Sequence, residues 1–171
     1  FSADEVDYNQ ELQTVTARGN VEISREGRIL LADTVSYDRS QDVLTASGNV
    51  SITEPTGEVT FASYVELSGD FKEGIVRDIY VLLDENTRIA GAGARRSGGN
   101  FPEIVKGVFS PCKVCEDDGK GGTPLWRIRG ARVLHDANAK TLEYEDARLE
   151  VAGLPVLYTP YFQHPDPTVK R

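Results

Sequence analysis

Leu31–Ile52 reads LADTVSYDRSQDVLTASGNVSI, and both of its halves echo an earlier stretch. Ala32–Tyr37 (ADTVSY) repeats Ala3–Tyr8 (ADEVDY), and Ala46–Ile52 (ASGNVSI) repeats Ala17–Ile23 (ARGNVEI). Asp4 and Asp33 stand 29 positions apart, and so do Gly19 and Gly48. A fixed spacing of this size marks stacked units, none of which can bury its apolar face alone. Within the unit the period is two. Leu44, Ala46, Gly48, Val50 and Ile52 fall on one face, and Thr45, Ser47, Asn49 and Ser51 on the other. Val15, Ala17, Gly19, Val21 and Ile23 alternate in the same way. That is the pattern of half-buried strands, with a glycine in each inner row that leaves room or marks a bulge. Polar turns such as Asp38-Arg39-Ser40 and Glu54-Pro55-Thr56-Gly57 join them.

Further strands follow. Val59–Leu67 places Val59, Phe61, Val65 and Leu67 on one face. Ile75–Leu83 is the most apolar run and reads as buried on both sides. Thr87–Ala94 is rich in small residues, and Arg95–Asn100 reads as a loop. Leu125–Arg129, Ala131–His135, Thr141–Tyr144 and Ala147–Val151 read as strands, and Leu154–Tyr161, broken by Pro155 and Pro160, as an edge strand. No stretch has helical periodicity. The expected fold is all-β over residues 1–161, with a Cys-containing excursion at about 110–123 and a linker at 162–171.

Charge and composition narrow the function. The 171 residues carry a formal net charge of −8, which disfavours a nucleic-acid partner. No apolar run reaches the roughly 18 residues of a membrane helix. The chain starts at Phe1 and has no Met, so a mature fragment is expected. Neither a Ser/His/Asp order nor a phosphate loop nor HExxH is present. Glu143, Glu145 and Asp146 read as a solvated face, and Asn49-Val50-Ser51 as part of the polar row. The reading is non-enzymatic, with no cofactor. Cys112-Lys-Val-Cys115 is followed by Glu116-Asp117-Asp118, which does not suit a redox thiolate. Zinc would need two further ligands, and His135 and His164 alone are on offer, so no metal is assigned. A disulfide is the third reading.

The repeated A-D-x-V-x-Y and A-x-G-N-V-x-I units resemble the OstA-like periplasmic domain of lipopolysaccharide-transport proteins. The second half narrows this. Val108-Phe109-Ser110-Pro111-Cys112, then Pro124-Leu125-Trp126, Ala131–Asp136 (ARVLHD), Pro155–Phe162 (PVLYTPYF) and Asp166–Arg171 (DPTVKR) resemble the outer-membrane lipopolysaccharide-assembly (LptD) family. The resemblance implies an open β-jelly roll, V-shaped, on the periplasmic face of the bacterial outer membrane, preceding a C-terminal barrel. It implies receipt of lipopolysaccharide from a periplasmic bridge protein by edge-strand addition, and delivery to the barrel with its plug lipoprotein. It also implies a disulfide from Cys112 to the barrel, with the role of Cys115 open; without the barrel the two cysteines are either free or joined to each other. On this reading Val21, Ile23, Val35, Val50, Ile52, Phe61, Val65, Ile79 and Val81 line an acyl-chain trough, the alternative for each being an ordinary sealed core. Asp4, Glu5 and Asp7 guard the front edge or are simply solvated. The alternative is a docking scaffold that pairs edge to edge without touching lipid.

Overall fold

The computed structural model describes residues 1–82, 87–98, 100–111, 124–136 and 139–165. All regular structure among them is β. The strands are β1 (Glu5–Asn9), β2 (Thr14–Arg25), β3 (Arg28–Asp38), β4 (Val43–Thr53), β5 (Val59–Ser68), β6 (Gly74–Leu82) and β7 (Arg88–Ser97). Then come β8 (Asn100–Val105), β9 (Val108–Ser110), β10 (Trp126–Arg129), β11 (Arg132–Asp136), β12 (Thr141–Val151) and β13 (Leu154–Pro165). Phe162–Pro165, expected to open a linker, continue β13 instead, opposite Tyr144–Thr141 of β12.

All strands join one antiparallel sheet. Its order is simpler than thirteen labels suggest. Gly93 faces Val105 and Ala90 faces Val108, so β8 and β9 run along β7 in one register, as a single strand interrupted at Lys106-Gly107. β10 and β11 likewise share one register on β12, with Arg129 opposite Arg148 and Arg132 opposite Glu145. The sheet is therefore a meander in which each long strand bonds to its sequence neighbours. Among the described residues β1 and β13 are its two free edges.

A crease crosses the middle of this sheet. Alternate strands carry a left-handed residue there: Gly19 and Asn20, Gly48 and Asn49, Asp78, Lys106 and Asp146. The pairing slips at the same level, between Arg18 and Val21, Leu31 and Thr34, and Ser47 and Val50. Bulges of this kind bend a strand and sharpen its twist. Repeated from strand to strand, they fold the sheet over on itself as a β-jelly roll.

The repeat identified in the sequence is the chemistry of that crease. Asn20 Nδ2 donates to Asp4 Oδ2, and Asn49 Nδ2 donates to Asp33 Oδ2, both at 2.9 Å. The third unit keeps the contact with donor and acceptor exchanged between strands: Ser63 Oγ donates to Asp78 Oδ2 at 2.6 Å.

Contacts between opposite strand ends show how far the sheet folds. β4 has 11 residues, roughly 35 Å if fully extended. Yet Glu54, just beyond its C-terminal end, pairs with Arg96, which lies at the far end of the strand direction beside Gly74 and Ile75. Arg25, at the end of β2, donates to the carbonyl of Gly69 in the β5–β6 turn, again from the opposite end. The two flaps of the creased sheet thus meet at their lips. The core lies between them and includes Leu30, Val50, Ile52, Val65, Leu67, Val76, Ile79, Ile104, Val133, Leu142 and Tyr144.

Arg95, Arg96 and Ser97, expected in a loop, belong to β7, and two further sequence expectations need correction. β5 buries Thr60, Val65 and Leu67 and packs Ala62 against the core, because the phase of alternation changes across Ser63-Tyr64. Phe61 therefore points outward. β6 is buried on one face only: Val76, Ile79 and Val81 are inside, whereas Ile75 is 44% exposed. Its apolar density comes from residues on both faces of a one-sided strand.

Candidate functional site

The interior between the flaps is apolar and reaches solvent at both ends of the strand ladder. At the β1 end, Phe1, Val15, Ala17, Ile23, Val35, Tyr37, Leu44 and Phe71 line an open cavity of about 290 Å³. Val15, Val35, Tyr37 and Leu44 come from one flap and Ile23 from the other. Tyr37 donates its hydroxyl to Asp42 at 2.5 Å, and this bond, with some burial, pushes the phenol above its ordinary value. At the β13 end, Ile128, Ala147, Leu149, Leu157, Thr159 and Phe162 line a smaller recess of about 70 Å³. Leu157 there is 60% exposed, although it belongs to the inner row opposite Leu149.

Between these mouths the interior is packed shut. Val50, Ile52, Val65, Ile79 and Val81 are all 3% exposed or less. Of the nine residues proposed as trough lining, Ile23 and Val35 line the larger mouth. Val21, Val50, Ile52, Val65, Ile79 and Val81 are buried core between the flaps. Phe61 does not belong to this set; it is 42% exposed on the outer face, with its ring centroid 6.2 Å from that of Tyr80.

The lips are held by a polar clasp that the periodicity did not suggest. Glu54 lies between two guanidinium groups. Arg28 Nε reaches Glu54 Oε2 at 2.8 Å, and Arg96 Nη2 bonds to Glu54 Oε1. Arg96 Nε also donates to the carbonyl of Phe71 at 2.7 Å. The Arg96 side chain is fully buried and that of Glu54 is 10% exposed. A buried ion pair of this kind is stable only while both charges stay matched. The sequence did hold a clue: Arg96 follows Ala94 by two positions and so shares its inward face.

The outer edge strand β1 is exposed along all five residues. Asp7 pairs with Arg18 at 2.6 Å, and Asp4 accepts from Asn20 at the crease. Cys112 and Cys115 lie outside the described residues. Among the described residues, no group of three or more His, Cys, Asp or Glu side chains forms a metal cluster.

Comparison with known proteins places the first half of the chain. Residues 1–81 match the family model described as LptA/(LptD N-terminal domain) LPS transport protein. The LPS-assembly protein LptD of Sodalis glossinidius is 28% identical over 71 residues, covering 42% of this chain and 8% of that protein. The LptD of Yersinia pestis is 29% identical over 70 residues, covering 41% and 8%. Among solved structures, LptH of Pseudomonas aeruginosa, described as the LptA-homologous periplasmic component of a lipopolysaccharide transport device, aligns with a TM-score of 0.46 at 17% identity. That alignment covers 55% of this chain and 71% of LptH. The matched segment holds both copies of the Asp/Gly-Asn crease, so over residues 1–81 the chain is similar to the LptA/LptD N-terminal-domain family, while it spans less than a tenth of the length of the LptD proteins it matches.

Proposed function

We propose that this chain is a periplasmic lipopolysaccharide-transport domain at the outer membrane. It receives lipopolysaccharide from the bridge protein at its β1 edge and shields the acyl chains between its flaps. It then passes them on at the β13 end to a C-terminal barrel and the plug lipoprotein of that barrel. The work is binding and release, not catalysis. The observation that carries the reading is an apolar interior open at both ends of a strand ladder whose first 81 residues match the family. Burial is worth about 0.8 kcal/mol per methylene, so a chain of about twelve carbons gains roughly 9 kcal/mol on entering. An even aliphatic surface spreads that gain along the path, so no single site holds the cargo too tightly to release it.

Because the middle is packed, transit requires the flaps to part, and the clasp at Arg28, Glu54 and Arg96 sets what parting costs. The exposed β1 offers an unpaired edge for strand addition by the bridge. Cys112 would form the disulfide to the barrel that the family resemblance implies.

Photo-crosslinkers placed in the full-length protein during active export test the reading. Adducts with lipopolysaccharide are expected at Ile23 and Val35, and none at outward-facing Phe61. If no interior position captures lipid while β1 still crosslinks to the bridge, the docking-scaffold reading replaces this one.

A further inference from the structure

A second cavity, larger than the one at the β1 end, lies on the other side of the sheet. It is open, about 620 Å³, and its charged and aromatic lining is Lys106, Arg129, Asp146, Arg148, Glu150 and Tyr158. Its residues alternate with buried ones, Arg129 following Ile128 and Arg148 following Ala147, so it faces away from the core. The crease builds it. Lys106 and Asp146 are both left-handed crease residues. Two backbone bonds, Lys106 N to Ala131 O at 2.8 Å and Gly130 N to Gly107 O at 2.9 Å, tie the interrupted strands together at its floor.

Of its two acids, Glu150 is paired with arginines and Asp146 with a tyrosine hydroxyl. Glu150, 7% exposed, receives Arg127 Nε at 2.5 Å and Arg129 Nη1 at 3.3 Å. Burial alone would raise the Glu150 carboxyl, but the two arginines outweigh it and hold the group below its ordinary value. Asp146 accepts the hydroxyl of Tyr158 at 2.8 Å. Lys106 and Arg148 have no carboxylate partner among the described residues. A chain of net charge −8 thus gathers Arg129, Arg148 and Lys106 around one cavity, where Glu150 is matched by Arg127 and Arg129 and Asp146 is bonded to a neutral phenol.

We propose that this outer cavity binds a phosphorylated sugar, with Lys106 and Arg148 taking the phosphate. The volume exceeds what phosphate alone needs and falls in the range of small-molecule sites. Charge-assisted bonds from Lys and Arg are the usual means of holding phosphate. The Tyr158 ring, with Asp146 beside it, offers a sugar a face to stack on and an acceptor for its hydroxyls. Because the site is on the outer face, it stands whether or not the interior carries lipid.

The same chemistry occurs in a soluble sugar phosphate and in the headgroup of a phosphorylated glycolipid. Amide and side-chain NMR shifts of this chain, titrated with glucose 6-phosphate, glucose, and micelles of a phosphorylated glycolipid and its dephosphorylated form, distinguish them. Saturable shifts at Lys106, Arg148 and Tyr158 with glucose 6-phosphate but not glucose assign a soluble ligand class. Shifts with the phosphorylated micelles alone assign a headgroup. In either case the exposed-site variants K106Q and R148Q should each weaken binding about tenfold while leaving the melting temperature unchanged. Shifts with neither phosphorylated probe, or shifts that persist in the K106Q/R148Q double variant, overturn the proposal.

Discussion

The carboxylate-bearing side chain of Asp33 occupies the space a side chain on Gly48 would need: a Cβ built on Gly48 would lie 2.9 Å from Asp33 Cβ. Asp4 and Gly19 stand in the same relation, also at 2.9 Å. Both glycines have φ near +75°, at 75° and 73°. The glycine of the repeat is therefore required twice over, by conformation and by space, and its neighbouring Asn supplies the bond that fixes the Asp in place.

Gly48→Ala should destabilise the fold by roughly 1–3 kcal/mol from backbone strain, with the steric conflict adding to it. Gly57→Ala is the control. Gly57 has φ +88° but nothing within 4 Å of an added Cβ, so only the conformational cost remains. Urea unfolding of both variants tests the difference. Equal losses would mean that the Asp33 contact contributes nothing.

Glu54→Gln should cost about 3–5 kcal/mol, because it removes the carboxylate that Arg28 and the buried Arg96 guanidinium share. Exposed pairs such as Arg18–Asp7, whose side chains are 52% and 60% exposed, should cost well under about 1 kcal/mol when broken. If the clasp also governs opening, Glu54→Gln should raise the accessibility of Phe71 to solvent, read by hydrogen exchange at its amide.

Ile79→Ala should cost about 2–5 kcal/mol, as a cavity in a site 2% exposed. Phe61→Ala should cost less than about 1 kcal/mol despite removing a larger side chain, since Phe61 is 42% exposed on the outer face. The reverse order would place the phase change of β5 elsewhere.

Glu150 gives a pH signature. Its carboxyl is held below the ordinary 4.5 once Arg127 and Arg129 outweigh burial. A group depressed on folding contributes stability above its unfolded value and loses that contribution as pH falls through the folded value. Stability should therefore fall with acidification below about pH 4.5. Arg127→Gln should move the Glu150 titration upward, as followed by carboxyl NMR.

Much of this was legible beforehand. The alternation in β2 and β4 is strict on each side of the crease, so Val21, Val50 and Ile52 could be placed inside from spacing alone. The 29-residue echo located the crease without revealing what it does. Phe61 was misplaced because a bulge changes phase without changing composition: Ser63 replaces the Asp that marks the earlier units. The clasp was missed for a different reason. Glu54 and Arg96 are far apart in sequence and sit at opposite strand ends, and local patterning carries no information about which ends meet once the sheet folds. The outer cavity depends on Lys106 and Arg148 converging across three strands, which spacing could not show.

A meander that bonds only sequence neighbours has a further property. Its length along the ladder can change by whole hairpins while its cross-section stays constant. Inserting a second copy of a 29-residue unit between β4 and β5 should give a longer body with the same girth and the same two terminal rims. The distance such a protein reaches is thus set by how many times one segment is duplicated, and evolution can adjust it without redesigning either end.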